Sequence, residues 1–285
     1  MRIKSRILPS SSLDKDGRLV IDLHAPQSWG ELTQDQLRYV LKLMVRFNNP
    51  TRLAWFLGHR STPHQASFII KTHLLCRFSG VKIHRETTRG YLCSIRTGWL
   101  RRKSFFLQTW QVMDMLSQFG WIDELGKMDN RLDVVHGLHA VDTRLHGVIF
   151  ADYLNMEKYF FAYQQTKSQK MLEKLALLLY LDADERHSGK KIHLNDIESL
   201  NVFIWYAAIK EHFSHEFKHF FRKVDGDGSD SFNMMESINT QIRALTDGDV
   251  TKEEEILNID CWRALTELNQ KAREAEEYKK KYGSK

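Results

Sequence analysis

His215-Glu216-Phe217-Lys218-His219 spells H-E-x-x-H. On a helix, histidines one turn apart can share a Zn²⁺, and the glutamate between them can activate its water. Three features work against that chemistry here. Lys218 puts a cation inside the motif, and no third ligand is signalled downstream beyond Glu236. At about 100° per residue, Phe213, Phe217, Phe220 and Phe221 fall on one face of the helix, and His212, His215 and His219 fall on the other. The histidines are therefore expected on a polar face. His215, Glu216 and His219 form a metal set only in an alternative, zinc-hydrolase reading. No catalytic residue, metal or cofactor is expected in the preferred one.

Three other stretches carry chemistry-bearing residues. Asp225 to Glu236 resembles a calcium loop, with oxygen ligands at positions 1, 3, 5 and 9 and a glutamate at 12. Position 6, where glycine permits the sharp turn, is Asp230, so an acidic linker is expected. Asp182, Asp184, Glu185 and His187 follow a helix end and read as a polar loop. Trp99 to Phe106 interleaves Arg101, Arg102 and Lys103 with aromatics. With Lys82, Arg85, Arg89 and Arg96 they could form a basic β surface for phosphates and stacked bases. Alternation of this kind ordinarily means one buried face and one solvated face. No glycine-rich phosphate loop, nucleophile elbow or Cys–His dyad motif appears in the chain.

The elements that must position these residues are mostly helical. The 285 residues, 42% hydrophobic and 11% aromatic, with only four prolines, suit a globular helical protein. Cys76, Cys93 and Cys261 are scattered, which fits reduced thiols in a cytoplasmic protein. The opening residues, Met1 to Arg6, lack a signal-peptide core, and no run is apolar enough to span a membrane. Short β runs are expected near Ile7-Leu8 and Leu19 to Leu23, with a turn-rich Ser11 to Gly17 between them. Thr33 caps a helix over 34–47 with Leu37, Val40, Leu41 and Met44 on one face. Thr62-Pro63 opens a second helix, ending at Gly80. Three antiparallel strands follow within 81–106, with turns at 87–90 and 97–98. Helices resume near 108–119, 151–166, 168–181 and 195–222. Residues 120–150 show no clear period and read as an irregular connection.

The end of the chain reads as a tethered rod. Residues 223–250 form an acidic linker with a short helix. Thr251 and Glu254 have capping-box spacing, and Cys261, Leu265, Leu268, Ala272 and Ala275 make a narrow apolar seam with Trp262 beside it. These six residues are the expected partner-binding set. Residues 223–285 hold 10 Lys and Arg against 14 Asp and Glu, a net −4. Residues 1–222 hold 32 against 22, a net +10. The fold class expected is mainly α (α+β): a helical body over 1–222 with a small sheet near 81–106, then the linker and a helical arm from 251.

Three segments carry a family resemblance: Pro26 to Val40, Phe203 to Lys210, and Gln241 to Thr246 with Trp262 to Leu268. Together they resemble uncharacterised proteins from phage and prophage structural-gene clusters of Bacteroidetes-type gut bacteria. The resemblance implies virion morphogenesis, of the tail-assembly-chaperone or scaffolding kind, in the host cytoplasm. The implied partner is a protein, a phage tail or other virion component, or a second copy of the chain; no membrane partner is implied, and no site residues are carried over. The preferred reading is therefore a non-enzymatic assembly protein working through protein–protein contacts. The runner-up is nucleic-acid binding through Lys82, Arg96, Arg101, Arg102 and Lys103.

Overall fold

The computed structural model describes residues 2–6, 18–22, 25–48, 63–96, 101–222 and 234–282. The expected turns at 11–17 and 97–98, Ile7, Leu8, Thr62, Trp99, Leu100 and the calcium-loop residues 225–233 lie outside them. The chain is mainly helical with small antiparallel sheets. It divides at Glu124/Leu125 into two units, rather than into a body and an arm. Among the described residues no helix is long and apolar enough to cross a membrane.

The N-terminal unit opens with an antiparallel pair, β1 (Arg2–Arg6) and β2 (Arg18–Asp22). Helix α1 (Gln34–Asn48) starts on a reciprocal cap: the Thr33 hydroxyl accepts the Gln36 N–H at 3.3 Å, and the Gln36 side chain accepts the Thr33 N–H at 2.9 Å. Two open donors of the first turn are thereby satisfied. The expected face of Leu37, Val40, Leu41 and Met44 is buried. Just before α1, Trp29 is almost wholly buried. Its indole N–H donates to the Trp121 carbonyl at 3.0 Å, and Trp121 donates to the Pro26 carbonyl at 3.2 Å, with the two rings edge to face at 5.0 Å. The first segment of the family resemblance is thus a structural clasp.

Helix α2 (Pro63–Ser79) buries Ala66, Ile70, Leu74 and Leu75. It is followed by a three-stranded sheet in the order β3 (Val81–Thr87), β4 (Gly90–Arg96), β5 (Arg102–Gln108), and then by α3 (Thr109–Ser117). The turn into β4 requires glycine: Gly90 has φ +146°, and a Cβ there would lie 2.1 Å from the Leu107 carbonyl oxygen. The sheet extends to Gln108 and the helix after it begins at Thr109, one residue from where periodicity places it.

The C-terminal unit is built around α6 (Asp196–Glu216), which lies among α4 (Phe150–Thr166), α5 (Gln169–Leu179) and the turn at Leu125–Lys127. Asn195 accepts the Ile197 and Glu198 N–H groups at 3.0 Å, and Glu198 accepts the Asn195 N–H at 3.0 Å, a second capping box. Trp205, Tyr206, Ile209 and Phe213 are buried, and ring contacts join Tyr180 to Trp205, Phe160 to Tyr206 and Tyr153 to Phe213. Polar residues are also buried in this unit, Asn201 the most completely. Asn201 is fully buried, accepts the Leu132 N–H at 3.1 Å and donates to the Tyr180 hydroxyl at 2.9 Å, which donates to the Leu132 carbonyl at 3.0 Å. Each polar atom in that loop has a partner, as burial demands.

Residues 120–150 carry more order than their pattern suggests. They hold a small sheet, β6 (Val134–Val135) and β7 (Leu138–Ala140) with β8 (Tyr180–Leu181). Its hairpin turn is His136-Gly137, with φ +51° and +78°. A type I′ turn needs positive φ at both positions, and histidine is not the usual residue for the first.

The C-terminal rod is not an arm. After α7 (Met234–Thr246), a short helix α8 (Glu253–Leu257) ends, and α9 (Cys261–Tyr282) begins only after a break at 258–260. The cap before α8 is Asp249, which accepts the Thr251 N–H at 3.0 Å, and not the Thr251–Glu254 box. The break is clasped to residues 147–150. Phe150 N–H donates to the Ile259 carbonyl at 2.8 Å, Cys261 N–H to the Val148 carbonyl at 2.8 Å, and Gly147 N–H to Asp260 at 2.7 Å. Helix α9 lies along α4 and α7, with Cys261, Ala264, Leu265 and Leu268 buried in its own unit. Of the expected seam, Cys261, Leu265 and Leu268 are covered by the protein itself, while Ala272 is half-buried and Ala275 exposed.

The expected outcome of deleting 261–285 is therefore loss of the C-terminal unit's cooperative melt, and Leu265→Ala in the full chain should cost about 2–5 kcal/mol in a denaturant titration. A truncated protein that melts like the full chain would restore the separable arm.

Candidate functional site

Trp262 sits at the centre of the C-terminal residues that sequence analysis singled out. Its indole N–H donates to the Arg144 carbonyl at 2.7 Å. Its ring stacks on His146 at 4.4 Å and meets Phe213 and Phe217 edge to face at 5.3 and 5.4 Å, with His212 at 5.8 Å. Of the expected partner-binding set, Cys261, Leu265 and Leu268 are buried, Trp262 and Ala272 are half-buried, and only Ala275 is exposed. Burial also pushes the Cys261 thiol up to about 12, which removes it from thiolate chemistry at neutral pH.

The H-E-x-x-H residues do not form a metal site. Helix α6 ends at Glu216, inside the motif, so His219 lies beyond the last helical turn. His215 pairs with Glu211 at 3.1 Å, whereas His219 pairs with Glu276 of α9 at 3.4 Å and its backbone N–H donates to Asn269. The two rings are committed to different carboxylates. Arg222 and His219 together hold the Glu276 carboxyl below its usual range. Among the described residues, no group of three or more His, Cys, Asp and Glu is placed to hold a metal ion. His212 differs from its neighbours: half-buried, its ring lies 5.8 Å from that of Trp262. Its Nε2 is buried without a partner, and burial, aided by the Arg144 charge, lowers its pKa.

A polar cleft of about 520 Å³ lies between the 139–152 segment and the loop at 181–187. It gathers Asp142, Asp152, Asp182 and His187, but each is spent on architecture. Asp142 accepts the Arg144 and His146 N–H groups at 2.9 and 3.1 Å, and Asp182 accepts those of Asp184 and Arg186 at 2.9 Å. His187 bridges Asp152 at 2.8 Å and the Leu177 carbonyl at 3.2 Å.

The N-terminal unit presents two surfaces. Cross-strand partners share a face, and Ile83, Cys93 and Phe105 form one column with Cys93 and Phe105 fully buried. The columns on the opposite face hold Lys82 with Ser94 and Ser104, Arg96 with Arg102, and Arg85 with Leu92 and Phe106. Of the expected basic set, Lys82, Arg96 and Arg102 thus share one exposed face, Arg101 precedes it as an exposed residue, and Lys103 lies on the other face beside Ile95. The second surface is a groove of about 410 Å³ between α2 and β3. Phe68, Thr72 and Cys76 of α2, the 83–86 stretch of β3, Tyr91 and Val112 line it. Phe68 stays 43% exposed there, and on α3 Trp110 and Met113 are 63% and 51% exposed. Sequence analysis placed Phe68 and Cys76 on this helix. It could not see the groove, because a groove exists only once helix and strand are packed.

Comparison with family models, curated proteins and solved structures gives no match to this chain.

Because folding lowers the His212 pKa, its linkage has a definite sign. Protonation favours the unfolded chain, so stability falls as pH drops through the ordinary histidine range towards the lowered folded value. His212→Leu should show a shallower loss of melting temperature between pH 7 and pH 5 than the parent. A difference between the two proteins that does not vary with pH would refute the assignment.

Proposed function

We propose that this protein is a non-enzymatic virion-morphogenesis protein, of the tail-assembly-chaperone or scaffolding kind, that holds a protein partner in the host cytoplasm. The three resembling segments support the setting. The observation that carries the mode of action is the apolar groove beside α2, with Phe68 exposed along it and Trp110 and Met113 exposed one turn apart on α3. Clustered exposed apolar side chains of this size mark interaction surfaces, and aromatic anchors dominate the energy of such contacts. The capturing surface is thus assigned to the N-terminal unit and not to the C-terminal helix. Tagged full-length protein in induced cells should co-purify a virion component. The double variant Phe68→Asp/Trp110→Asp, with an unchanged melting temperature, should lose it. Capture that survives the double variant, or no virion component at all, would remove the reading.

A second reading, nucleic-acid binding, is favoured by where the charge lies. Residues 1–124 hold 19 Lys and Arg against 9 Asp and Glu, a net +10; residues 125–285 hold 23 against 27, a net −4. The stretch 125–222 is balanced at 13 of each, so the whole excess belongs to the unit that carries Lys82, Arg96 and Arg102 on one face. A basic face of this kind binds phosphates with a steep salt dependence. Binding of a single-stranded oligonucleotide in the range of about 10⁻⁴–10⁻⁶ M at physiological salt is the non-specific level. Much tighter binding that collapses in Lys82→Glu/Arg102→Glu would promote this reading over the first.

A further inference from the structure

The groove beside α2 is bounded on one side by the outer strand of a sheet. In the order β3-β4-β5, β3 is terminal, and among the described residues no strand pairs with its outer edge. The other end of the sheet differs, since β1 lies near β5. Residues 83–86 of β3 line a trough of about 410 Å³ whose other wall is α2. An edge strand beside such a trough can take an extended peptide as one more strand: its backbone bonds to the edge, and alternate side chains enter the trough.

The polar groups at the trough say which peptide fits. The register slips between Ile83 and Arg85, which puts His84 outside regular pairing, and the His84 ring bonds the Ser94 hydroxyl at 2.6 Å. A bulge and cations on an outer strand are devices that keep an edge from pairing indiscriminately. Here they also choose a partner. Lys82, Arg85 and Arg89 are exposed along β3 and its turn, and no ion pair to any of them occurs among the described residues. The one carboxylate of this strand, Glu86, is engaged by the Tyr91 hydroxyl at 3.3 Å. The unit as a whole has an excess of ten positive charges. Repulsion disfavours a basic strand, while an acidic one gains from all three.

We infer that the groove between α2 and β3 is a strand-acceptor site for an extended acidic peptide with apolar residues at alternate positions, which pairs with the outer edge of β3. This rests on the protein-capture reading and names the kind of segment that is captured. An amphipathic helix is the other occupant a groove can take; the free edge favours a strand, because a helix leaves the edge groups without partners.

The test uses the full chain and two fluorescein-labelled heptapeptides, one alternating Glu and Val, the other alternating Lys and Val. Fluorescence polarisation should give binding of the acidic peptide that is at least about tenfold tighter than the basic one, and that is lost in Arg85→Glu. Thr72→Trp, which fills the trough from α2, should abolish binding without touching any charge. Hydrogen exchange with the acidic peptide bound should slow the amides of residues 81–87 and leave those of 102–108 unchanged. Equal affinity for both peptides, protection elsewhere, or full binding by Thr72→Trp would overturn the strand-acceptor assignment. The same variants, carried into the co-purification experiment, separate the two claims. If Arg85→Glu and Thr72→Trp still hold a virion component, only the strand-acceptor site fails. If the parent protein holds none, the capture reading itself fails.

Discussion

The C-terminal unit depends on one clasp, between the break before α9 and the loop at 142–150. Asp260 caps α9 through the Trp262 N–H at 2.8 Å and at the same time accepts the Gly147 N–H. Trp262 then reaches the Arg144 carbonyl and fills the space between His146, Phe213 and Phe217. Backbone, side-chain and ring contacts all fall within a few residues, so the last helix cannot leave without exposing the end of α6. Burial of a tryptophan and two leucines is worth several kcal/mol, a large fraction of the net stability of an ordinary domain.

That clasp decides what the C-terminal unit is free to do. With the seam of α9 turned inward, Cys261, Leu265 and Leu268 are not available to a partner. In the polar cleft at 139–152 and 181–187, Asp142, Asp152, Asp182 and His187 are tied into turns and loops. Five histidines of this unit, His136, His187, His193, His215 and His219, each pair with a carboxylate, at 3.4, 2.8, 3.2, 3.1 and 3.4 Å. A motif that reads as zinc chemistry is, in place, two of these five pairs. Such exposed pairs contribute little stability each.

The N-terminal unit has the opposite character. It holds the entire excess of positive charge, an open sheet edge and exposed Phe68, Trp110 and Met113. Its fold is secured elsewhere, by the reciprocal hydrogen bonds of Trp29 and Trp121 and by Asp123, which accepts the Ser67 hydroxyl at 2.7 Å and pairs with Lys71 at 2.5 Å. Stability and exposed surface thus come from different residues, which leaves the groove and the basic face free to be shaped for binding.

Local signals in the sequence determined the elements. Thr33, the apolar period of 34–47 and the alternation in 81–106 each act through neighbours one turn or one strand away, and the structure has helix, helix face and three strands where those signals lie. The small sheet at 134–140 escaped because His136-Gly137 is an uncommon pair for its turn, and because strands of two and three residues show no period. What only the tertiary structure decided is which surface each pattern faces. The spacing of Cys261, Leu265 and Leu268 specifies that a stripe must be covered; it does not say by what, since a hydrophobic stripe is satisfied equally by a partner or by its own chain. The histidines at 215 and 219 are four apart in sequence, yet the end of α6 at Glu216 separates their directions. The groove beside β3 arises only when helix and strand are packed together, and no single stretch of the sequence contains it.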